Sequence, residues 1–208
     1  NWFVYIYGVN TNQVIETSLG YFISPLLVIL LGAVFLRERL NIWQVVAVGF
    51  AALGVLNFIW NFGSLPWIAL SLAFTFSFYG LIRKMIPVKP LVGLLMETAL
   101  LAPLAAILIA FWEVDGTGHF GTTWMTDFLL FGGGVVTSLP LLWFINAGKR
   151  LRYSTIGFIQ YLTPSIQLLI GVYLYHEPFT PTHSITFGLI WAGLVIFSIN
   201  SLFVQSPS

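Results

Sequence analysis

The 208-residue chain contains no cysteine, which excludes disulfides, thiolate metal sites and thiol nucleophiles. Charge is scarce as well: 7% of the residues are Asp, Glu, Lys or Arg, against about 25% in a soluble domain. So little charge cannot cover a water-exposed surface, and a soluble globular protein is excluded. Eight basic residues balance seven acidic ones for a net charge of +1, which provides no field for nucleic acid, so no such partner is expected. The sequence has no HExxH motif and no pair of membrane-depth carboxylates at helical spacing, so an intramembrane enzyme is not expected. His119 stands among Glu113, Asp115 and Asp127 without metal-ligand spacing, and neither a metal nor a cofactor is expected.

What is present is apolar: 58% of residues are hydrophobic and 17% aromatic, with a mean hydropathy of +0.93. Crossing the hydrocarbon core takes about 20 consecutive apolar residues in a helix. Seven such runs are predicted, at 14–36, 41–60, 66–84, 90–112, 127–148, 153–175 and 183–204. Residues 1–10, NWFVYIYGVN, read as the end of an eighth. The expected fold class is an all-α membrane protein, a multi-helix transmembrane bundle.

The connections between these runs alternate between two sides, and the basic residues all fall on one: Arg37 and Arg39; Arg83, Lys84 and Lys89; Lys149, Arg150 and Arg152. Glu16, Glu113, Asp115, Asp127 and Glu177 fall on the other. By the positive-inside rule the basic side is cytoplasmic, and the C-terminus lies there too.

Sliding the chain by 139 residues lays 14–62 on 153–201 and pairs Pro25 with Pro164, Leu30 with Leu169, Gly32 with Gly171 and Glu38 with Glu177. Gly49 pairs with Gly188, Gly54 with Gly193, Phe58 with Phe197 and Asn61 with Asn200. Pro, Gly, Glu and Asn dominate these matches, and they are not the filler of apolar helices. An odd number of helices separates the copies, so the second is inverted, a plan found in secondary transporters. The division expected is 1–65, the C-terminal part of a first five-helix repeat, and 66–208, a complete second one. Equal repeat lengths predict a ten-helix parent beginning roughly 70 residues before Asn1.

In carriers of this plan the substrate site lies near the membrane midplane, where helices are interrupted. Pro25 and Pro164 sit at the centres of related helices, and each deprives the carbonyl four residues earlier, at Tyr21 and Gln160, of its donor. The alternative for each is a plain kink. Gln160, Thr163, Pro164, Gln167 and Gly171 share one helical stripe, matched in the other repeat by Tyr21, Ser24, Pro25, Val28 and Gly32. This polar face lines either a cavity or an interhelical contact. Glu97 lies eight residues past Lys89, about 12 Å into the membrane. A carboxyl at that depth marks a substrate or proton path by default, and burial would raise its pKa; a hydrogen bond to a neighbouring helix is the alternative. Glu16 reads as a vestibule or an interfacial carboxylate. Trp2, Tyr5, Tyr7, Asn10 and Tyr79 are candidate wall residues or plain packing. Glu38 between Arg37 and Arg39 reads as an interfacial ion pair and Glu177 as a turn residue. Ala47 with Ala51, and Gly188 with Ala192, form small-xxx-small pairs that let helices approach.

The opening NWxxYxxxVN, the run ETSLGYFISPLLVILLGAVFLRERL, then YGLIRKMIPV, GLLMET and STIGFIQYLTPSIQLLIGVYLYHEPF together resemble RarD proteins. These form the "chloramphenicol-sensitive" branch of the EamA family in the drug/metabolite transporter superfamily. The resemblance implies a ten-helix inverted-repeat permease or exporter of small metabolites or drugs in the bacterial inner membrane, working by alternating access. It places Glu16, Tyr21, Pro25, Glu97, Gln160 and Pro164 in family-typical stretches and gives none of them a role. It also implies that two N-terminal helices, the first of them lining the cavity, precede this chain in the parent. The expected partners are a small-molecule substrate, the lipid bilayer, candidate coupling protons and a candidate homodimer. The competing functional reading is a non-transporting assembly or structural subunit, or an inactive fragment.

Overall fold

Backbone amides in hydrocarbon have no water to bond, so long apolar runs satisfy them internally as helices. The computed structural model describes residues 1–11, 13–63, 65–174 and 180–204, with the side chains of 14, 15, 167, 168, 170, 171, 174 and 201–204 left aside. Within these residues lie α1 (Trp2–Asn10), α2 (Val14–Phe35), α3 (Ile42–Phe62), α4 (Trp67–Met85) and α5 (Pro90–Val114). They are followed by α6 (Trp124–Arg150), α7 (Tyr153–Gln160), α8 (Leu162–Leu174) and α9 (Pro181–Val204). No strand occurs among the described residues, and the chain is an all-α membrane bundle. Six helices, α2 to α6 and α9, are long and apolar enough to cross a membrane.

The predicted run 153–175 is not one helix. It divides at Tyr161 into α7 of 8 residues and α8 of 13. Pro25, by contrast, leaves α2 continuous over 22 residues. The two prolines expected to act alike therefore have different effects.

The chain forms two compact units, Asn1–Ile82 with Leu151–Ser208, and Arg83–Arg150. In the first, α2 packs on α7 and α3 on α9. Its core joins Leu19, Phe22, Ile23 and Ile29 of α2 to Ala47, Ala51 and Val55 of α3, and to Phe158, Tyr161, Phe187, Ile190 and Phe197. Small residues set the approach of α3 and α9. A Cβ on Gly54 would lie 2.8 Å from the Thr186 carbonyl oxygen, and one on Gly193 would lie 2.7 Å from that of Ala47. Position 193 is 54 advanced by the 139-residue offset, and 186 is 47 so advanced, so these are one contact made in both directions. Asn41 begins α3 with a capping box, its Oδ1 accepting from the Gln44 amide at 2.9 Å, while its Nδ2 donates to Asn200 Oδ1 at 2.6 Å.

In the second unit, the buried residues include Arg83 at the end of α4, Gly93 on α5, and Ile145 and Gly148 on α6. Most remaining side chains on α5 and α6 are exposed and apolar. Lys84 Nζ donates to the Gly148 carbonyl at 2.7 Å, and Lys149 Nζ to the carbonyl of Ile86. Each lysine thereby serves a carbonyl at the end of the other's helix, where the dipole is negative.

Candidate functional site

The break between α7 and α8 concentrates unusual polar groups. The Tyr161 amide reaches back three residues to the Phe158 carbonyl at 3.2 Å, a tighter turn than an α-helix makes. Pro164 then has no N–H for the Gln160 carbonyl. Ser165 Oγ donates to the Tyr161 carbonyl at 2.8 Å and itself accepts from Trp191 Nε1 on α9 at 2.9 Å. Beside this repaired backbone, Gln160 Oε1 and the Tyr161 hydroxyl are buried without a hydrogen-bond partner. Tyr161 is 0% exposed. A buried polar group left unpaired costs about 1–3 kcal/mol, so two such groups on consecutive residues at one helix break are expensive and leave hydrogen-bonding capacity unused.

The other candidate residues are placed unevenly. Ser24 Oγ lies 3.3 Å from Ser77 Oγ, which also donates to the Ser24 carbonyl at 3.3 Å. The Tyr153 hydroxyl donates to the Ser77 carbonyl at 2.5 Å. Ser24 is thus tied into a junction of α2, α4 and α7, the interhelical alternative for that residue. Pro25 is buried, and its carbonyl faces Gly157 so closely that a Cβ there would lie 2.7 Å from it. Tyr5 and Tyr21 meet edge to face at 6.5 Å, with Trp2 5.7 Å from Tyr5, so α1 and α2 do bring a ring cluster together. Tyr7 is instead against Trp67, and Tyr79 is half-buried on α4. Thr163 is exposed while its neighbour Pro164 is buried. α7 ends at Gln160 and α8 begins at Leu162, so the stripe expected of one unbroken helix spans a break. The side chain of Gln167, with Gly171 and Glu177, lies outside the described residues.

Each of the three informative carboxylates has a definite partner. Buried Glu16 accepts from the Ile68 amide at 2.7 Å, in the first turn of α4, and so caps that helix. Glu38 accepts from the amides of Tyr153 and Ser154 at 2.5 and 2.9 Å and from the Ser154 hydroxyl at 2.6 Å, with Arg152 Nε at 3.9 Å. It caps α7 first and pairs with an arginine second, and that arginine is neither of its sequence neighbours. Glu97 is 40% exposed and lies 3.4 Å from Arg83, whose side chain is 6% exposed. Of the two, the cationic partner is the more buried within the protein.

Sequence reasoning missed Ser77, Tyr153, Tyr161, Ser165, Trp191 and Arg83. For most of these no local signal exists, because their roles come from neighbours distant in the chain. Tyr161 stood inside the stretch already singled out, between Gln160 and Pro164. Among the described residues no group of three or more His, Asp or Glu is placed to hold a metal.

Residues 1–60 match the EamA-like transporter family. The chain is 46% identical over 206 residues to Protein RarD of Salmonella typhi, covering 99% of this chain and 70% of that protein. The identity and both coverages are the same for Protein RarD of Escherichia coli. An uncharacterized transporter of Bacillus subtilis, YojE, is 45% identical over 204 residues, which is 97% of this chain and 67% of that protein. No solved structure matches the chain. With its membrane-crossing helices and this extent of identity, the chain belongs to the RarD branch of the EamA-like transporter family and is a multi-pass membrane protein.

Proposed function

We propose that the protein is a secondary carrier of small metabolites or drugs in the bacterial inner membrane, with its C-terminus in the cytoplasm. It alternates access to a site at the interrupted helix by moving the repeats 1–65 and 66–208 against each other. The observation that carries this reading is the break at Tyr161, where Gln160 Oε1 and the Tyr161 hydroxyl are buried and unpartnered. A structural subunit would gain by replacing such groups with apolar ones, whereas a carrier needs hydrogen-bonding capacity that a substrate can use. The reciprocal contacts of Gly54 with Thr186 and Gly193 with Ala47 support the inverted repeat. The names of the relatives support transport as the activity.

The absence of cysteine makes substituted-cysteine labelling clean. In sealed vesicles, Gln160→Cys is expected to react with a membrane-impermeant thiol reagent, and a substrate found by counterflow screening in proteoliposomes is expected to slow that reaction. A Gln160→Cys protein sealed from both sides, together with no counterflow for any metabolite, would favour the structural subunit instead.

A further inference from the structure

Arg83 is buried, charged and only partly satisfied. Its Nη2 donates to the Pro90 carbonyl at 2.9 Å, its Nη1 stands 3.4 Å from Glu97 Oε1, and its Nε is buried with no partner. A strong charge-assisted N–H···O bond spans about 2.7–2.9 Å, and an arginine fork matched to a carboxylate makes two in parallel. At 3.4 Å the contact with Glu97 is longer than that. A guanidinium cannot shed its proton to relieve burial, as a lysine or histidine can, so its charge must be met by an anion.

The surroundings add positive potential. Pro90 and Gly93 belong to the first turn of α5, the positive end of that helix, and Lys89 is its N-cap. A Cβ on Gly93 would collide with the Arg83 guanidinium, so the glycine is what lets this group lie against the helix backbone. Within Arg83–Arg150, five basic residues, Arg83, Lys84, Lys89, Lys149 and Arg150, stand at the helix ends that share this side, with Glu97 the nearest acidic residue in sequence. Lys149 donates to a carbonyl, which carries no formal charge.

We propose that Arg83 anchors an oxyanion site in this unit, taking a carboxylate or a phosphate through its Nε and Nη donors, with Glu97 as the built-in competitor that the anion displaces. The site does not depend on the carrier reading, because an anion can bind whether or not it is transported. Two sources share this chemistry: a soluble anionic metabolite and the headgroup of an anionic lipid.

The test is the melting temperature of the purified protein at constant ionic strength, titrated with inorganic phosphate or succinate against a chloride control. A parallel arm compares nanodiscs of phosphatidylglycerol with nanodiscs of phosphatidylcholine. Wild type is expected to be stabilised by the soluble oxyanions, by phosphatidylglycerol, or by both, and the responding arm identifies the source. Glu97→Gln is expected to lower the half-saturating concentration, and Arg83→Lys to raise it about tenfold by losing the planar fork. The opposite signs of these two variants distinguish a binding site from a structural ion pair, which both variants would weaken alike. No response of wild type in either arm overturns the proposal, as does a Glu97→Gln protein that binds oxyanions more weakly than wild type.

Discussion

At the scale of single residues, carboxylates that read as interfacial charges are helix caps. Glu38 is the clearest case. Its burial alone would raise the carboxyl pKa, but the bonds from the Ser154 hydroxyl, the Ser154 amide and the Tyr153 amide, with the charge of Arg152, outweigh this and hold it below the ordinary value. A carboxyl lowered in the folded state contributes stability that is fully present above its unfolded pKa of about 4.3 and is lost as pH falls through the folded value. The melting temperature in detergent is therefore expected to drop on acidification from about pH 4.3 downward, and to drop less in Glu38→Gln. At neutral pH, Glu38→Ala is expected to cost about 0.5–2 kcal/mol, the range for losing a cap. A melting temperature unchanged by Glu38→Ala would dismiss the cap. This role was not legible in the sequence, where Glu38 has a basic residue on each side. The amides it serves are more than a hundred residues away, and Arg37, in the left-handed region at φ 52°, turns the chain just before it.

At the scale of elements, the 139-residue pairing anticipated where small residues recur, and the packing separates two kinds. Gly54 and Gly193 are pressed against carbonyls across α3 and α9, while Gly49 and Gly188 have nothing within 4 Å of a built Cβ. Gly54→Ala and Gly193→Ala are each expected to destabilise by about 1–3 kcal/mol through overpacking. Gly49→Ala and Gly188→Ala are expected to be neutral or stabilising by up to about 1 kcal/mol, the helix-propensity gain over glycine. Thermal unfolding of the four variants checks both pairs, and a loss at Gly49→Ala as large as at Gly54→Ala would contradict the packing account. Prolines tell the opposite story, since positions matched by the 139-residue offset have unequal outcomes. Pro25 is absorbed in a continuous α2, whereas α7 and α8 part at Tyr161, where Ser165 and Trp191 hold the turn. Replacing Trp191 by Phe removes the Nε1–Ser165 bond and is expected to cost about 1 kcal/mol, read as a lower melting temperature.

At the scale of the whole molecule, run length located the helices and charge placement underlies the proposed orientation. Hydrocarbon forces backbone bonds inside each segment, so seven apolar runs of roughly twenty residues had to become helices, and α2 to α6 and α9 stand where they were expected. The orientation is a matter of the same charges. A reporter fused after Asp115 is expected to report the periplasm and one fused after Val204 the cytoplasm; the reverse result would invert the proposed topology.

Composition and periodicity thus determined that this chain is a helical membrane protein and where the six membrane-length helices among the described residues lie. These follow from the solvent, since the hydrocarbon imposes the same demand on every segment whatever surrounds it. Only the tertiary structure decided which polar groups are spent and which are left over. Ser24, Glu16 and Glu38 found donors or acceptors on other helices, while Gln160, Tyr161 and the Nε of Arg83 did not. A hydrogen bond forms within about 3 Å, so its existence depends on contacts between helices far apart in the chain, and no local pattern of residues records them.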